Sequence, residues 1–279
     1  MEAGLRSFDL AMPEEINRMV TDAITDYFFV TEESGRQNLL REGKPAERVH
    51  FVGHVMIDNL LHQVEKMKAG GSDSWIPAFA GMTKGEAGMT KGGTGMAKGE
   101  TGIAKGEARM TKDGEEMTGE YAFMTLHRPS NVDDRNTFTG IAAALNVIAE
   151  EMPIFFPVHP RTKKMIEQFQ IRFSENIKLL SPLGFKESLF LWKDAKVELT
   201  DSGGLQEETT ALGVPCVTIR ENTERPITIE LGTNVLVGTT KEGILKAYAE
   251  SLEKAKHASI PPVWDGRASE RIWDVIIKG

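Results

Sequence analysis

Cysteine is almost missing from this chain of 279 residues: Cys216 stands alone, so no internal disulfide can form and the fold must rest on its apolar core. Basic runs are missing too. With 33 Lys and Arg against 41 Asp and Glu the formal charge is -8, which argues against a broad nucleic-acid surface but leaves room for a local cationic pocket that takes a phosphate. No stretch approaches the roughly 18 uninterrupted apolar residues of a membrane helix, and the opening MEAGLRSFDL lacks the charged and apolar regions of a signal peptide. The expected compartment is the cytoplasm. The sequence holds no Walker loop, no G-x-S-x-G nucleophile and no run with metal-ligand spacing, so serine-hydrolase and metal-dependent chemistry are poorly supported. What it does hold, 40% hydrophobic and 27% charged residues, is the make-up of a soluble globular chain of one large domain or two ordinary ones.

From Gly81 the sequence reads GMTKGEAGMTKGGTGMAKGETGIAKGEARMTK, with Met82, Met89, Met96, Ile103, Met110 and Met117 marking a seven-residue period. A coiled coil would use that period. Here only one apolar position recurs, and each interior glycine costs a helix about 1 kcal/mol. The expected reading is a disordered, solvated insertion over residues 67–118, which a chain tolerates where it joins two domains.

On either side, short apolar runs alternate with amphipathic stretches. After the repeat, strands are expected at YAFMTL, PIFFPV, IKLLSP, KVELT, PCVTIR and TNVLVG, with helical spacing between them. Strict alternation implies a doubly wound parallel sheet over residues 119–279, with ligands outside the carboxyl ends of its strands. Residues 1–66 show the same grammar with two strands, YFFVT and RVHFVG, too few for a self-sufficient sheet. This flank either adds to the second domain or is part of a first one.

Three strand-to-helix junctions carry polar chemistry. In TDSGGLQEETTALG, Gly203 and Gly204 allow close backbone approach, Ser202 is placed to cap the helix, its first amides suit a diphosphate, and Glu208 can accept from a vicinal diol. An ordinary capped turn reads equally well. TLHRPSNVDD places His127 and Arg128 at a strand end, and PVHPRT places His159 and Arg161 at the next. ENTERP adds Glu224 and Arg225. At the front, Glu2 and Glu14 can serve as acid and base if the fold joins them; Glu14 and Glu15 opening a helix after Pro13 is the plainer alternative.

The segments EAGLR…PEEINR, ESGRQNLLREG, HFVGHVMIDNLL, TLHRPSNVDD, PVHPRT and DSGGLQEETTALGVPCVTIRENTERP…GTNVLVG, which cover nearly everything outside the repeat, resemble the non-hydrolysing UDP-N-acetylglucosamine 2-epimerases. The resemblance implies an α/β protein of two Rossmann-like domains in a GT-B-like arrangement, the first incomplete, with UDP in the cleft between them and the last helix packing back on the first domain. It implies that Ser202, Gly203 and Gly204 receive the UDP phosphates, that Glu208 binds the ribose, and that Arg225 is a further nucleotide contact. Glu2, Glu14 and His127 match the acid/base groups, and Arg128 and His159 are candidates for a second, activating UDP-GlcNAc. The implied reaction interconverts UDP-GlcNAc and UDP-ManNAc by eliminating and re-adding UDP, without metal or redox cofactor, in cell-envelope polysaccharide synthesis. The expected partners are a second copy of the chain or a separately encoded N-terminal half.

Two departures stand out. The family carries a Gly-Thr-Arg-Pro-Glu loop and a Gly-Asp motif ahead of EAGLR, neither of which is present, and it commonly has an aromatic near the uracil where this chain offers Ser188, with Phe185 close by. A hydrolysing relative, a non-catalytic UDP-binding remnant and half of a split enzyme therefore stand as alternatives. Replacing residues 73–118 by a short Gly-Ser linker is expected to leave thermal stability nearly unchanged; a loss above about 2 kcal/mol would show that the repeat packs.

Overall fold

A computed structural model describes residues 2–10, 12–70 and 120–278. The repeat, and with it the expectation of a disordered insertion over 67–118, lies outside the described residues apart from the end of one helix.

The front segment runs α1 (Pro13–Ile24), β1 (Phe28–Val30), α2 (Glu33–Arg41), β2 (Val49–Phe51) and α3 (Val55–Gly70). Pro13 opens α1 with its fixed φ, and Glu14 and Glu15 follow in the first turn, where the helix dipole favours them. β1 and β2 form a two-stranded parallel sheet, with Phe28 opposite Val49 and Val30 opposite Phe51. Leu39 of α2 and Ala3 close a small core over Phe28 and Val30. The EAGLR turn is pinned from several sides: Asp22 accepts from the Gly4 amide at 3.0 Å and from Arg6 at 2.7 Å, and Asn38 donates to the Gly4 carbonyl.

The second unit runs β3 (Ala122–Thr125), α4 (Pro129–Val132), α5 (Arg135–Glu151), β4 (Ile154–Pro157), α6 (Pro160–Phe169), β5 (Ile177–Leu180), α7 (Phe185–Trp192), β6 (Val197–Thr200), α8 (Gly203–Leu212), β7 (Cys216–Ile219), α9 (Ile227–Glu230), β8 (Asn234–Val237), α10 (Lys241–Lys254) and α11 (Ala268–Lys278). The expected doubly wound sheet is present. Its six strands are all parallel, in the order β5-β4-β3-β6-β7-β8, so the direction of winding reverses between β3 and β6. Alternate residues of one strand serve opposite faces. Ala122, Met124, Val197 and Leu199 pack under α5 and α10 with Ile141, Leu145 and Ile244, while Tyr121 and Phe123 pack under α3, α7 and α8 with Ile57, Leu60, Leu189 and Trp192. Each fully buried side chain of this size contributes about 1.5–3 kcal/mol. The one-turn helix α4 was not anticipated, because HRPSN reads as loop.

The segment before α11 locks the two units together. Trp264 is 3% exposed, donates its indole N–H to the Thr31 carbonyl at 3.0 Å and meets the His54 ring edge-to-face. Gly53, at φ +89, lies under this segment: a Cβ there would sit 2.1 Å from the Val263 carbonyl oxygen, so no other residue fits. Asp58 of α3 accepts from the Ala268 and Ser269 amides that open α11. Replacing Trp264 by Ala is expected to cost about 3–5 kcal/mol by denaturant unfolding, and Trp264→Phe, which keeps most of the packing and loses the hydrogen bond, distinctly less. Equal losses would show that the hydrogen bond dominates.

Candidate functional site

The winding reversal puts the carboxyl ends of β3 and β6 side by side. Thr125 and Thr200 are in register and their hydroxyls hydrogen-bond at 2.7 Å. Just beyond them lie His127 and Asp201. The Asp201 side chain is fully buried, yet it gathers the backbone N–H of His127 at 2.9 Å, that of Arg128 at 2.7 Å, the Asn131 amide at 3.2 Å and the imidazole Nδ1 of His127 at 3.0 Å. Arg128 in turn donates from Nε to the Asp201 carbonyl. The bond to Asp201 raises the His127 pKa above its ordinary value, against the opposing effects of burial and Arg128.

His127 borders two hollows. One, of about 590 Å³, is lined by Asp9 and Glu14 from the front segment and by Arg128, Asn131 and Arg220 from the sheet ends. The other, of about 220 Å³, is lined by Thr125, His159, Ser188 and Ser202. The fold thus gathers His127, Arg128 and Glu14 in one hollow and His127, His159 and Ser202 in the next. Glu14 is exposed beside its hollow, whereas its neighbour Glu15 is buried and accepts from the Ser7 and Phe8 amides. Glu15 therefore ties the loop of Ser7 and Phe8 to the start of α1. His159 caps α6 by accepting the Arg161 amide on Nδ1, and Arg161 pairs with Asp133. Phe185 remains on the surface, 43% exposed, while Ser188 reaches the smaller hollow.

At α8 one expectation changes. Ser202 occupies the N-cap position, but its hydroxyl makes no capping bond; its own amide donates to the Thr200 hydroxyl, which makes the strand-to-helix turn in its place. The first amides of α8 thus have no side-chain cap from Ser202. Gly203 is required by crowding of another kind than a ligand's: a Cβ there would stand 2.9 Å from Nη1 of Arg225. At Gly204 the nearest atom, of Met56, is at an ordinary 3.5 Å.

Behind these glycines Arg225 is buried among carboxylates. It pairs with Glu207 at 2.8 Å through Nε, with Glu2 at 3.1 Å through Nη2, and with Glu224 through Nη1. Glu207 also receives a bond from Nε2 of His54 at 2.8 Å, and since Nδ1 of His54 accepts the Met56 amide, Nε2 is the protonated nitrogen. Glu2, His54 and Glu207 come close enough to hold a metal ion, but Arg225 already supplies the positive charge between two of them. Glu2 itself sits at φ +61, a left-handed conformation uncommon outside glycine. It is not among the residues lining the hollow that holds Glu14. Glu208, one turn into α8, is 7% exposed, and burial together with Glu207 pushes its carboxyl up to about 7. His54, Asp201 and Glu207 had not been singled out from the sequence, where no local pattern marks residues whose partners lie far along the chain.

Comparison with known proteins agrees with this geometry. The family profile described as UDP-N-acetylglucosamine 2-epimerase matches residues 1–82 and 96–277. The chain belongs to the UDP-N-acetylglucosamine 2-epimerase family. The UDP-N-acetylglucosamine 2-epimerase of Methanocaldococcus jannaschii is 36% identical over 285 residues, covering 100% of this chain and 68% of the relative. The solved structure of that archaeal enzyme in complex with UDP-GlcNAc and UDP is similar with a TM-score of 0.77, at 35% identity, over 100% of this chain and 68% of the other. A UDP-2,3-diacetamido-2,3-dideoxy-D-glucuronate 2-epimerase of Pseudomonas aeruginosa is 32% identical over 285 residues, covering 100% of this chain and 67% of the relative. The fold of these epimerases is the GT-B-like α/β arrangement, and the six-stranded sheet is one of its parallel sheets. Among the described residues no helix is long and apolar enough to cross a membrane.

The Arg225 cluster sets an acid-stability test. Burial works against the charge of Glu224, but Arg225 and Arg220 outweigh it and hold the carboxyl down at about 2. A depressed carboxylate stabilises the fold above its ordinary value near 4.5 and loses that contribution as pH falls towards 2. Arg225→Met is expected to cost about 3–5 kcal/mol at neutral pH, because Glu2 and Glu207 lose their guanidinium and Glu224 keeps Arg220 alone, and to flatten the loss of stability between these two pH values. Urea melts across that range check both.

Proposed function

We propose that this chain interconverts UDP-GlcNAc and UDP-ManNAc at carbon 2 without hydrolysis. The observation that carries the reading is the meeting of Glu14 from the front segment with His127 in one hollow at the switch point of a doubly wound sheet, next to the glycine-opened α8. In this reading the α8 amides at Gly203 and Gly204, with Ser202, receive the diphosphate, and Glu208 accepts from the ribose. Arg225 acts near the nucleotide by holding Glu2. Arg128 and His159 border the hollows where a second nucleotide sugar would bind.

The chemistry follows from what leaves. A base among Glu2, Glu14 and His127 takes the proton from carbon 2; the C–H electrons form the carbon 1–carbon 2 double bond while the carbon 1–oxygen pair departs with UDP. Donors around the diphosphate stabilise that leaving charge. Reprotonation of the 2-acetamidoglucal on the opposite face, with return of the UDP oxygen to carbon 1, inverts carbon 2 and consumes nothing. The two relatives act at carbon 2 of different UDP sugars, so the chemistry is the shared element; the N-acetylglucosamine assignment follows the 36% identical relative.

Proton NMR of UDP-GlcNAc with the purified chain in deuterated water tests the reading. The expected outcome is loss of the carbon 2 proton signal with growth of UDP-ManNAc, slowed about 10²–10⁴-fold in Glu14→Gln. Release of free ManNAc would instead indicate the hydrolysing reaction, and absence of exchange from folded protein would remove catalysis altogether.

A further inference from the structure

We infer that Asp201 is the positioning residue for His127, fixing the direction of its imidazole and placing the proton on Nδ1, so that Nε2 is the nitrogen offered to a ligand. The geometry carries this. Asp201 Oδ2 accepts the shorter bonds from the backbone amides of His127 at 2.9 Å and Arg128 at 2.7 Å, while Oδ1 faces Nδ1 at 3.0 Å and shares the His127 amide at a longer 3.2 Å. The same carboxylate therefore holds both the main chain and the ring of His127, and it is fully buried. A carboxylate engaged by two amide donors is an acceptor, so the nitrogen opposite its second oxygen must carry hydrogen in the neutral ring. The Asn131 amide, bridging Asp201 to the Ile219 carbonyl at the end of β7, keeps the carboxylate from turning.

Other titratable groups face the hollow or the ring: Arg128 on its own loop, Arg220 and Glu221 after β7, and Asp9 and Glu14 from the front segment line the same hollow as His127, and the His159 ring centroid is 6.0 Å away. Asp201 is the group in hydrogen-bond contact with the ring, and its effect on the His127 pKa is correspondingly the largest. The catalytic meaning of this arrangement rests on the epimerase reading. The tautomer does not.

The substitution Asp201→Asn is isosteric but chemically directed. With its amide oxygen held by the two backbone N–H groups, its NH₂ must face Nδ1, which forces the hydrogen to Nε2. Nitrogen NMR of the full chain labelled at histidine, with His127 assigned by its loss in His127→Gln, reads this directly. The expected wild-type spectrum shows the Nδ1–H tautomer and a pKa above the usual value; in Asp201→Asn the tautomer switches and the pKa falls. Epimerase kcat should drop about 10²–10⁴-fold with KM changed far less, and the His127 limb of the pH profile should move down. An Nε2–H tautomer in the wild type overturns the proposal, as does an unchanged pKa in folded Asp201→Asn. If that variant does not fold, the wild-type spectrum alone decides. Because the spectrum needs no turnover, an inactive enzyme would count against the function and leave this test standing.

Discussion

A buried guanidinium holds the two halves of the described chain in register. Arg225 comes from the loop after β7, Glu207 from α8, and Glu2 from the turn ahead of α1, so the cation and its carboxylates unite segments far apart in sequence. Glu224 is shared by Arg225 and Arg220, and His54, just ahead of α3, donates to Glu207. Each charge in such a cluster would be costly if buried alone and is tolerated because the others are present. The remaining joints are arranged around it: Trp264 against His54 and Thr31, Asp9 with Asn222, and Met56 over the opening of α8.

This cluster also divides the polar residues by task. Arg225 is enclosed by three carboxylates, which balance its charge inside the protein and include Glu2. By contrast the first amides of α8 lack a cap from Ser202, and Arg128 and His127 border open space. In the proposed reading the α8 terminus and the β3 end with His127 face the ligand from the sheet, and Glu14 approaches from the front segment. The site in that proposed reading draws on both the front segment and the sheet, which gives the Glu2–Arg225 and His54–Glu207 pairs and the Trp264 contact a functional consequence beyond stability.

Much of the architecture was legible. All six strands of the sheet lie within the runs YAFMTL through TNVLVG, because the central strands, buried on both faces, write themselves as short, largely apolar runs and the edge strands keep part of that pattern. The start of α1 at Pro13 was legible too, since proline at the first helical position leaves a clear mark. The DSGG turn was legible as a strand-to-helix junction, and so was the polar character of HRPSN. What failed was local: α4 was hidden in a proline-containing loop, and Ser202, a favoured cap by residue type, makes no capping bond.

The sequence alone determined the alternation of elements, hence the doubly wound sheet and the strand ends at which chemistry would be found, because hydrophobic periodicity and turn chemistry are properties of neighbouring residues. Only the tertiary structure decided which polar residues meet. Asp201 and His127 are separated by 74 positions and Glu207 and His54 by 153, and their pairing depends on strand order and on the docking of the front segment. Adjacent carboxylates illustrate the division. Glu14 and Glu15 are equivalent in the sequence, yet the rotation of about 100° between adjacent helical residues sends the first to the hollow beside His127 and the second to the Ser7 amide. That difference is set by what packs against each helix face, which neighbouring residues do not encode.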